Sequence, residues 1–293
     1  MDNLTVAFEA STSWLSLCAA GCSQRGISRA NNEDAIHVSP GLELLIVADG
    51  VGGQRAGELA SNTAIREIIE QAAHWPLDSD DNRFRQLIDQ ALHRASRVIS
   101  ELIDIDDEFW GAGTTMTLAF RHDDHLFIAN VGDSRAYRLR DGSLEQLTVD
   151  DSWVELLIRA GSITREQAKT HPQRNVIMTS LGGRDFEEQS VQVGVMGLLP
   201  GDRFMISSDG IHDTLDDEEI ASILKSDEAV EVVASQLIDT AVRAGSSDDV
   251  SVVVLDVSRT ERPRQPAESV IARVLNQVRR IFTQNDEPAL AES

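Results

Sequence analysis

The sequence predicts an α+β protein in which antiparallel sheets are packed by helices, and two observations carry that expectation. Strand-like runs come in adjacent groups and helical runs in pairs, with no regular strand–helix–strand alternation. Within one group, Asp141-Gly142 joins RAYRLR to SLEQL, a two-residue hairpin signal that belongs to antiparallel neighbours.

Each element follows from its local pattern. Short runs, several of them β-branched or aromatic and bounded by Gly, Asp or Asn, place strands at 14–21, 42–48, 113–121, 125–131, 135–140, 190–195, 203–207 and 251–257. Helical periodicity is clearest from Gln54 to about His74, where Ala60, Ala64, Ile68 and Ala72 form an i, i+4 row flanked by Leu59, Ile65 and Ile69. A second helix is expected over about 82–103. Two more fill 217–244, beginning in an acidic run that suits the positive end of a helix. Composition changes at about 259, where a polar, proline-containing stretch reads as a linker over 259–266. Beyond it, over 267–293, lie a helix and tail. Val270, Ile271, Val274, Leu275, Val278, Ile281 and Phe282 share one helical face, with Arg273, Arg279 and Arg280 among the other positions. This basic amphipathic helix, 267–282, suits docking to a partner or membrane surface and equally suits packing on its own domain.

Acidic residues outnumber basic ones 49 to 26 in the 293 residues, a formal net charge of -23. That argues against nucleic acid, whose phosphates are neutralised by Lys and Arg, and against an anionic membrane surface. Cys18 and Cys22 are too few for a structural zinc site, and a chain this long needs no disulfide framework, so they read as reduced thiols in a core strand. No apolar run approaches the roughly 18 residues of a transmembrane segment. LSLCAAGC, at 15–22, has the outline of a lipoprotein cleavage site, but the first basic residue is Arg25, so no positive segment precedes it. The expected location is cytoplasmic.

The carboxylates are placed unusually. LLIVADGVGG ends an apolar strand on Asp49, and RFMISSDG ends another on Asp209. NVGDSRAY puts Asp133 after a third, while SSDDVSVVVLDV puts Asp248 and Asp249 just before a fourth. RANNEDA adds Arg29, Asn32, Glu33 and Asp34. A lone Asp-Gly is a turn signature, so Asp141 carries no chemistry. Two unit charges 4 Å apart repel by about 4 kcal/mol at an effective dielectric near 20. Convergence of these groups would therefore require protons, basic partners or metal ions. The only lysines, Lys169 and Lys225, lie outside the motifs. Carboxylates with few Cys or His nearby suit Mg²⁺ or Mn²⁺. Two such ions about 3.5–4 Å apart are the usual machinery for attacking a phosphate ester. Arg29 suits a phosphate clamp, and equally a surface salt bridge to Glu33 or Asp34.

Taken in order, R-x-x-N-E-D (29–34), V-A-D-G-V-G-G (47–53), G-T-T (113–115), V-G-D-S-R-A-Y (131–137), S-D-G-I-H-D (208–213) and D-D-V-S-V-V-V (248–254) form a set. Over about 14–257 the chain resembles the metal-dependent serine/threonine protein phosphatases of the PPM family (type 2C), bacterial form. The resemblance implies a four-layer α-β-β-α sandwich, two antiparallel β-sheets flanked by pairs of helices. It implies one catalytic domain over 1–258 with a flap at about 148–189. It also implies two or three Mn²⁺ or Mg²⁺ ions. Asp49 would bridge two, the Gly50 carbonyl would complete the second, Asp209 and Asp248 would hold the first, and Asp133 with Asp209 would hold a third. Glu33 and Asp34 would orient metal-bound waters, and Arg29 would take the substrate phosphate. The implied activity is hydrolysis of phosphoserine and phosphothreonine on proteins by direct attack of a metal-bridged water, opposing a bacterial serine/threonine kinase.

The sequence departs from the family pattern in places. Asp249 stands where Asn is usual, so either Asp248 or Asp249 could be the ligand. Val51 replaces a histidine regarded as the general acid in many eukaryotic relatives. His212 is a speculative substitute, with a plain solvent-facing histidine the expected reading. His171, Pro172, Arg174 and Asn175 fit a bacterial flap, but Asp151 stands where His is common, a difference expected to act on substrate selectivity. Two alternatives remain. One is another two-metal phosphoesterase such as a nuclease, which the net charge disfavours. The other is a catalytically inactive phosphoprotein-binding relative, which the complete acidic motifs disfavour.

Overall fold

The structure is a computed structural model and describes residues 3–12, 14–53, 55–105, 109–183, 186 and 191–260. The chain divides after Arg259 into two units. The expected linker beyond Thr260 and the amphipathic helix lie outside the described residues.

One sheet runs in the order β1 (Asn3–Ser11), β2 (Leu15–Gln24), β12 (Val250–Arg259), β11 (Arg203–Ser207), β8 (Arg135–Arg140), β9 (Ser143–Gln146). The other runs β10 (Val193–Gly197), β7 (His125–Val131), β6 (Met116–His122), β4 (Leu44–Val51), β3 (Asp34–Val38), with the short β5 (Gly113–Thr114) paired to the end of β4. All pairings among the named strands are antiparallel. Alternation along the strands builds three cores. Leu17, Leu45, Val47, Ile206, Val253 and Leu255 belong to the core shared by the two sheets. Ile46, Leu118 and Phe127 face the other way, against Ile68, Phe84 and Ile88 of α1 (Arg55–Ala72) and α2 (Asp81–Ile105). Cys22, Val252 and Val254 pack under α6 (Asp217–Leu224) and α7 (Val230–Ala244), with Ile220, Val233 and Leu237. The order of layers is helices, sheet, sheet, helices, as expected.

The strand at 113–121 is interrupted at Thr115, which turns aside to bind Asp49. The Asp141-Gly142 hairpin forms with both residues at positive φ, 51° and 76°, as a type I′ turn requires. Strands β1 and β3 were not anticipated. Strand β1 carries the pattern openly, since Val6, Phe8 and Ala10 alternate onto the inter-sheet core. Strand β3 is only five residues long and begins inside an acidic motif. Between β9 and β10 lie α3 (Trp153–Arg159) and α4 (Arg165–Lys169), and α5 (Asp209–His212) follows β11 directly.

Candidate active site

The end of the sandwich where β4 and β11 finish and β3 and β12 begin gathers the motifs. Asp34 and Asp49 are register partners across the β3–β4 pair, like charges placed directly opposite. The Gly113-Thr114-Thr115 motif fixes Asp49. Asp49 N–H donates to Thr115 Oγ1 at 3.1 Å, while Thr115 N–H (2.8 Å) and the Thr114 hydroxyl (2.9 Å) both donate to the Asp49 carbonyl. The Thr115 hydroxyl also lies 2.7 Å from that of Ser134, tying Asp49 to the loop that carries Asp133. Ser208, immediately before Asp209, donates its hydroxyl to Asp34 Oδ2 at 2.8 Å and accepts from Ser251 N–H at 3.0 Å. Sequence reasoning passed over Ser208, although the S-S-D-G run holds it beside a strand-end acid.

Burial and mutual repulsion make this a site of displaced pKa values. Burial first, then Asp34, Asp209, Asp133 and Asp248, push Asp49 well above the usual carboxylate range. Burial, then Asp133, does the same to Asp209. Asp34 is raised to about 7 by burial, against the pull of the Ser251 and Ser208 hydrogen bonds. Asp133 is also raised to about 7, by burial and then by Asp150. Asp34 Oδ1 and Asp209 Oδ1 are buried with no hydrogen-bond donor. A cluster of hard oxygen donors with orphaned lone pairs and raised pKa values fits divalent cations of the Mg²⁺ or Mn²⁺ type. Among the described residues, no three such side chains already close into a ligand set.

The two acids at 248 and 249 have different surroundings. Asp249 is buried, and its two oxygens accept from the backbone N–H groups of Gly26 (2.8 Å) and Glu33 (2.7 Å). Asp248 is part-exposed and paired to Arg29 at 2.5 Å. Arg29 also reaches Glu33 at 3.4 Å, so it is tied to two acids of the site. Glu33 is buried, its pKa raised chiefly by burial, and its backbone carbonyl accepts from Gly50 N–H (3.2 Å) and from Ser61 (2.7 Å). Gly50 must be glycine: a Cβ there would stand 2.2 Å from the Gly57 carbonyl oxygen of α1. Val51 pairs with Gly113 and offers no proton.

His212 is not solvent-facing as expected. It is half-buried, its Nδ1 has no partner, and burial with the nearby Arg135 charge holds its pKa well below the usual value. Asp151 directs its carboxylate inward, to Gly132 N–H at 3.1 Å. A cleft of about 510 Å³ opens beside Asp133 and His212, lined by basic residues (Arg165, Lys169, Arg174) and acidic ones (Asp213, Glu218) together.

The chain is similar to known proteins over most of its length. The family model described as "Protein phosphatase 2C" matches residues 23–247. The serine/threonine protein phosphatase PstP of Mycobacterium tuberculosis is 39% identical over 238 residues, 81% of this chain. The match spans only 44% of that relative's length. Protein phosphatase PhpP of Streptococcus pneumoniae is 31% identical over 239 residues, 80% of this chain and 96% of its own. A crystal structure of the PstP catalytic domain in complex with two manganese ions superposes with a TM-score of 0.74 at 36% identity, covering 83% of this chain and 99% of that one. This chain belongs to the protein phosphatase 2C family.

Proposed function

We propose that this protein is a metal-dependent phosphatase that hydrolyses phosphoserine and phosphothreonine on proteins. One observation carries the reading: Asp34, Asp49, Asp133 and Asp209 share one end of the sandwich, all four have pKa values raised first by burial, Asp34 and Asp133 add to the rise at Asp49 and Asp209, and Asp34 and Asp209 each keep a buried oxygen unpartnered. Bound Mn²⁺ or Mg²⁺, two or three ions, would supply an acidified water and neutralise charge on the phosphoryl group. Manganese in the PstP structure supports that choice of metal.

The residues then take distinct parts. Asp49, the Gly50 carbonyl, Asp209 and Asp248 would hold two ions, and Asp133 with Asp209 a third. Asp248 is favoured over Asp249 because both oxygens of Asp249 already serve backbone N–H groups. Arg29, part-exposed and held beside Asp248, presents a planar fork suited to phosphate oxygens. Glu33 and Asp34 orient water at the same end. The cleft beside Asp133 gives a peptide room to approach along the flap, about 148–189. We place the catalytic domain at 1–258. Phosphoproteins are the substrates and a serine/threonine kinase the opposing enzyme. Docking through 267–282 rests on the sequence alone. Cys18 and Cys22 are not joined by a disulfide, which suits the reducing cytoplasm. Among the described residues, no helix is long and apolar enough to cross a membrane.

The test compares p-nitrophenyl phosphate, a phosphothreonine peptide and bis(p-nitrophenyl) phosphate with Mn²⁺ present. Turnover of both monoesters without the diester is expected. Preferential diester cleavage would make the protein a different phosphoesterase, and tight peptide binding without turnover would make it a binding relative.

A further inference from the structure

The adjacent carboxylates Asp150 and Asp151 grip the two ends of one short loop. Asp151 Oδ2 accepts from Gly132 N–H at 3.1 Å, and Asp151 N–H donates to the Gly132 carbonyl at 2.9 Å. Asp150 takes the guanidinium of Arg135 through two oxygens, Nε at 2.9 Å and Nη2 at 2.6 Å, and also accepts from Gln146 at 3.1 Å. Between the two grips stand Asp133 and Ser134, and Ser134 reaches the Thr115 that holds Asp49. Gly132 passes close against Thr115. Its φ is +94°, and a Cβ there would stand 2.7 Å from the Thr115 methyl.

The same two carboxylates begin the flap. Asp151 O accepts from Met178 N–H at 2.7 Å and Trp153 N–H donates to Val176 O at 2.8 Å, so 151–153 and 176–178 form a two-stranded neck. Ser152 then caps α3 by accepting from Glu155 N–H at 3.3 Å. The neck is thus fastened to the Asp133 loop by side chains, and not merely adjacent to it.

We infer that Asp150 and Asp151 are positioning residues that lock the flap neck to the Gly132–Arg135 loop, so that flap placement and the Asp133 carboxylate are set together. The functional consequence rests on the metal-dependent phosphatase reading, in which Asp133 takes part in metal binding.

Amide hydrogen exchange on the metal-free full-length chain tests the lock without any turnover. In Asp151→Ala, Gly132 N–H is expected to exchange roughly tenfold faster, with Trp153 and Met178 N–H accelerating together and α7 unchanged. Asp151→Asn, which keeps an acceptor, is expected to restore slow exchange. In activity assays, Asp151→Ala should raise the Mn²⁺ concentration for half-maximal rate roughly tenfold, with recovery in Asp151→Asn. If Asp151→Ala does not fold, Asp150→Ala is read in the same way on Arg135 and the neck, with Asp150→Asn as the acceptor-keeping control. Acceleration at Gly132 alone, with the neck unmoved, would overturn the inference, as would wild-type metal dependence in Asp151→Ala. An inert wild type whose exchange is still linked would remove the phosphatase reading and leave the lock standing.

Discussion

Asp249 accepts a 2.7 Å hydrogen bond from the backbone N–H of Glu33, across 216 positions of sequence. With its second bond to Gly26 it closes the loop that carries Arg29 against the start of β12. Removing a buried acceptor leaves two donors unsatisfied, at about 1–3 kcal/mol each before relaxation. Asp249→Ala is therefore expected to lose about 2–3 kcal/mol in denaturant unfolding. Asp248→Ala, which breaks a part-exposed ion pair and one 2.8 Å hydrogen bond from Asp249 N–H, should lose about 1 kcal/mol, less than Asp249→Ala. Its activity should fall at least by the roughly 10–100-fold that losing an outer-shell partner costs. The opposite pattern would move the ligand role to Asp249.

Gly57 presses on the backbone of Gly50. A Cβ on Gly57 would stand 2.8 Å from the carbonyl carbon and oxygen of Gly50 and 3.1 Å from the Glu33 carboxyl carbon. In an ordinary helix, Ala gains about 1 kcal/mol over Gly. Here overpacking of about 1–3 kcal/mol should win, so Gly57→Ala is expected to be less stable and less active. A thermal midpoint above wild type would contradict that.

Metal removal and pH are linked. Asp34 and Asp133 rise from an ordinary 3.8 to about 7 in the folded chain without metal. The folded state binds those protons more tightly, so their contribution to stability is present below about pH 4 and lost as pH rises toward 7. In EDTA the melting temperature should fall between pH 5 and pH 8, and Mn²⁺ should restore it at pH 8. A melting temperature independent of pH across that range in EDTA would count against the cluster.

His212 is held neutral by burial and Arg135, which leaves it no proton to give near neutral pH. A general acid is worth about 10²–10⁴-fold in rate. His212→Gln should lose less than about tenfold in kcat and keep the shape of the pH–rate profile. Loss of the basic limb in that variant would restore His212 as the acid.

The sequence made the layers legible because periodicity survives burial. The rows of α1 and the apolar runs of β4, β11 and β12 each face the core that their pattern demands. The acidic residues were legible as well, since an apolar strand ending on Asp is conspicuous. Their second partners were not. The bonds from Ser208 to Asp34, Asp249 to Glu33 and Asp151 to Gly132 join residues 174, 216 and 19 positions apart, with no local signal for the pairing. Strand β1 lay outside the expected strands although Val6, Phe8 and Ala10 alternate plainly, because Glu9 and flanking polar residues dilute its apolar run. The inward placing of the half-buried His212 follows from its position in the short α5, which its own neighbours do not announce.

The most direct measurement is phosphate release from a phosphothreonine peptide by wild type with Mn²⁺, by wild type with EDTA, and by Asp209→Asn with Mn²⁺. Turnover by the first and its loss in the other two is the predicted result. Equal turnover in all three, or none from a folded wild type shown to bind Mn²⁺, would contradict the assignment of this carboxylate cluster to phosphoprotein hydrolysis.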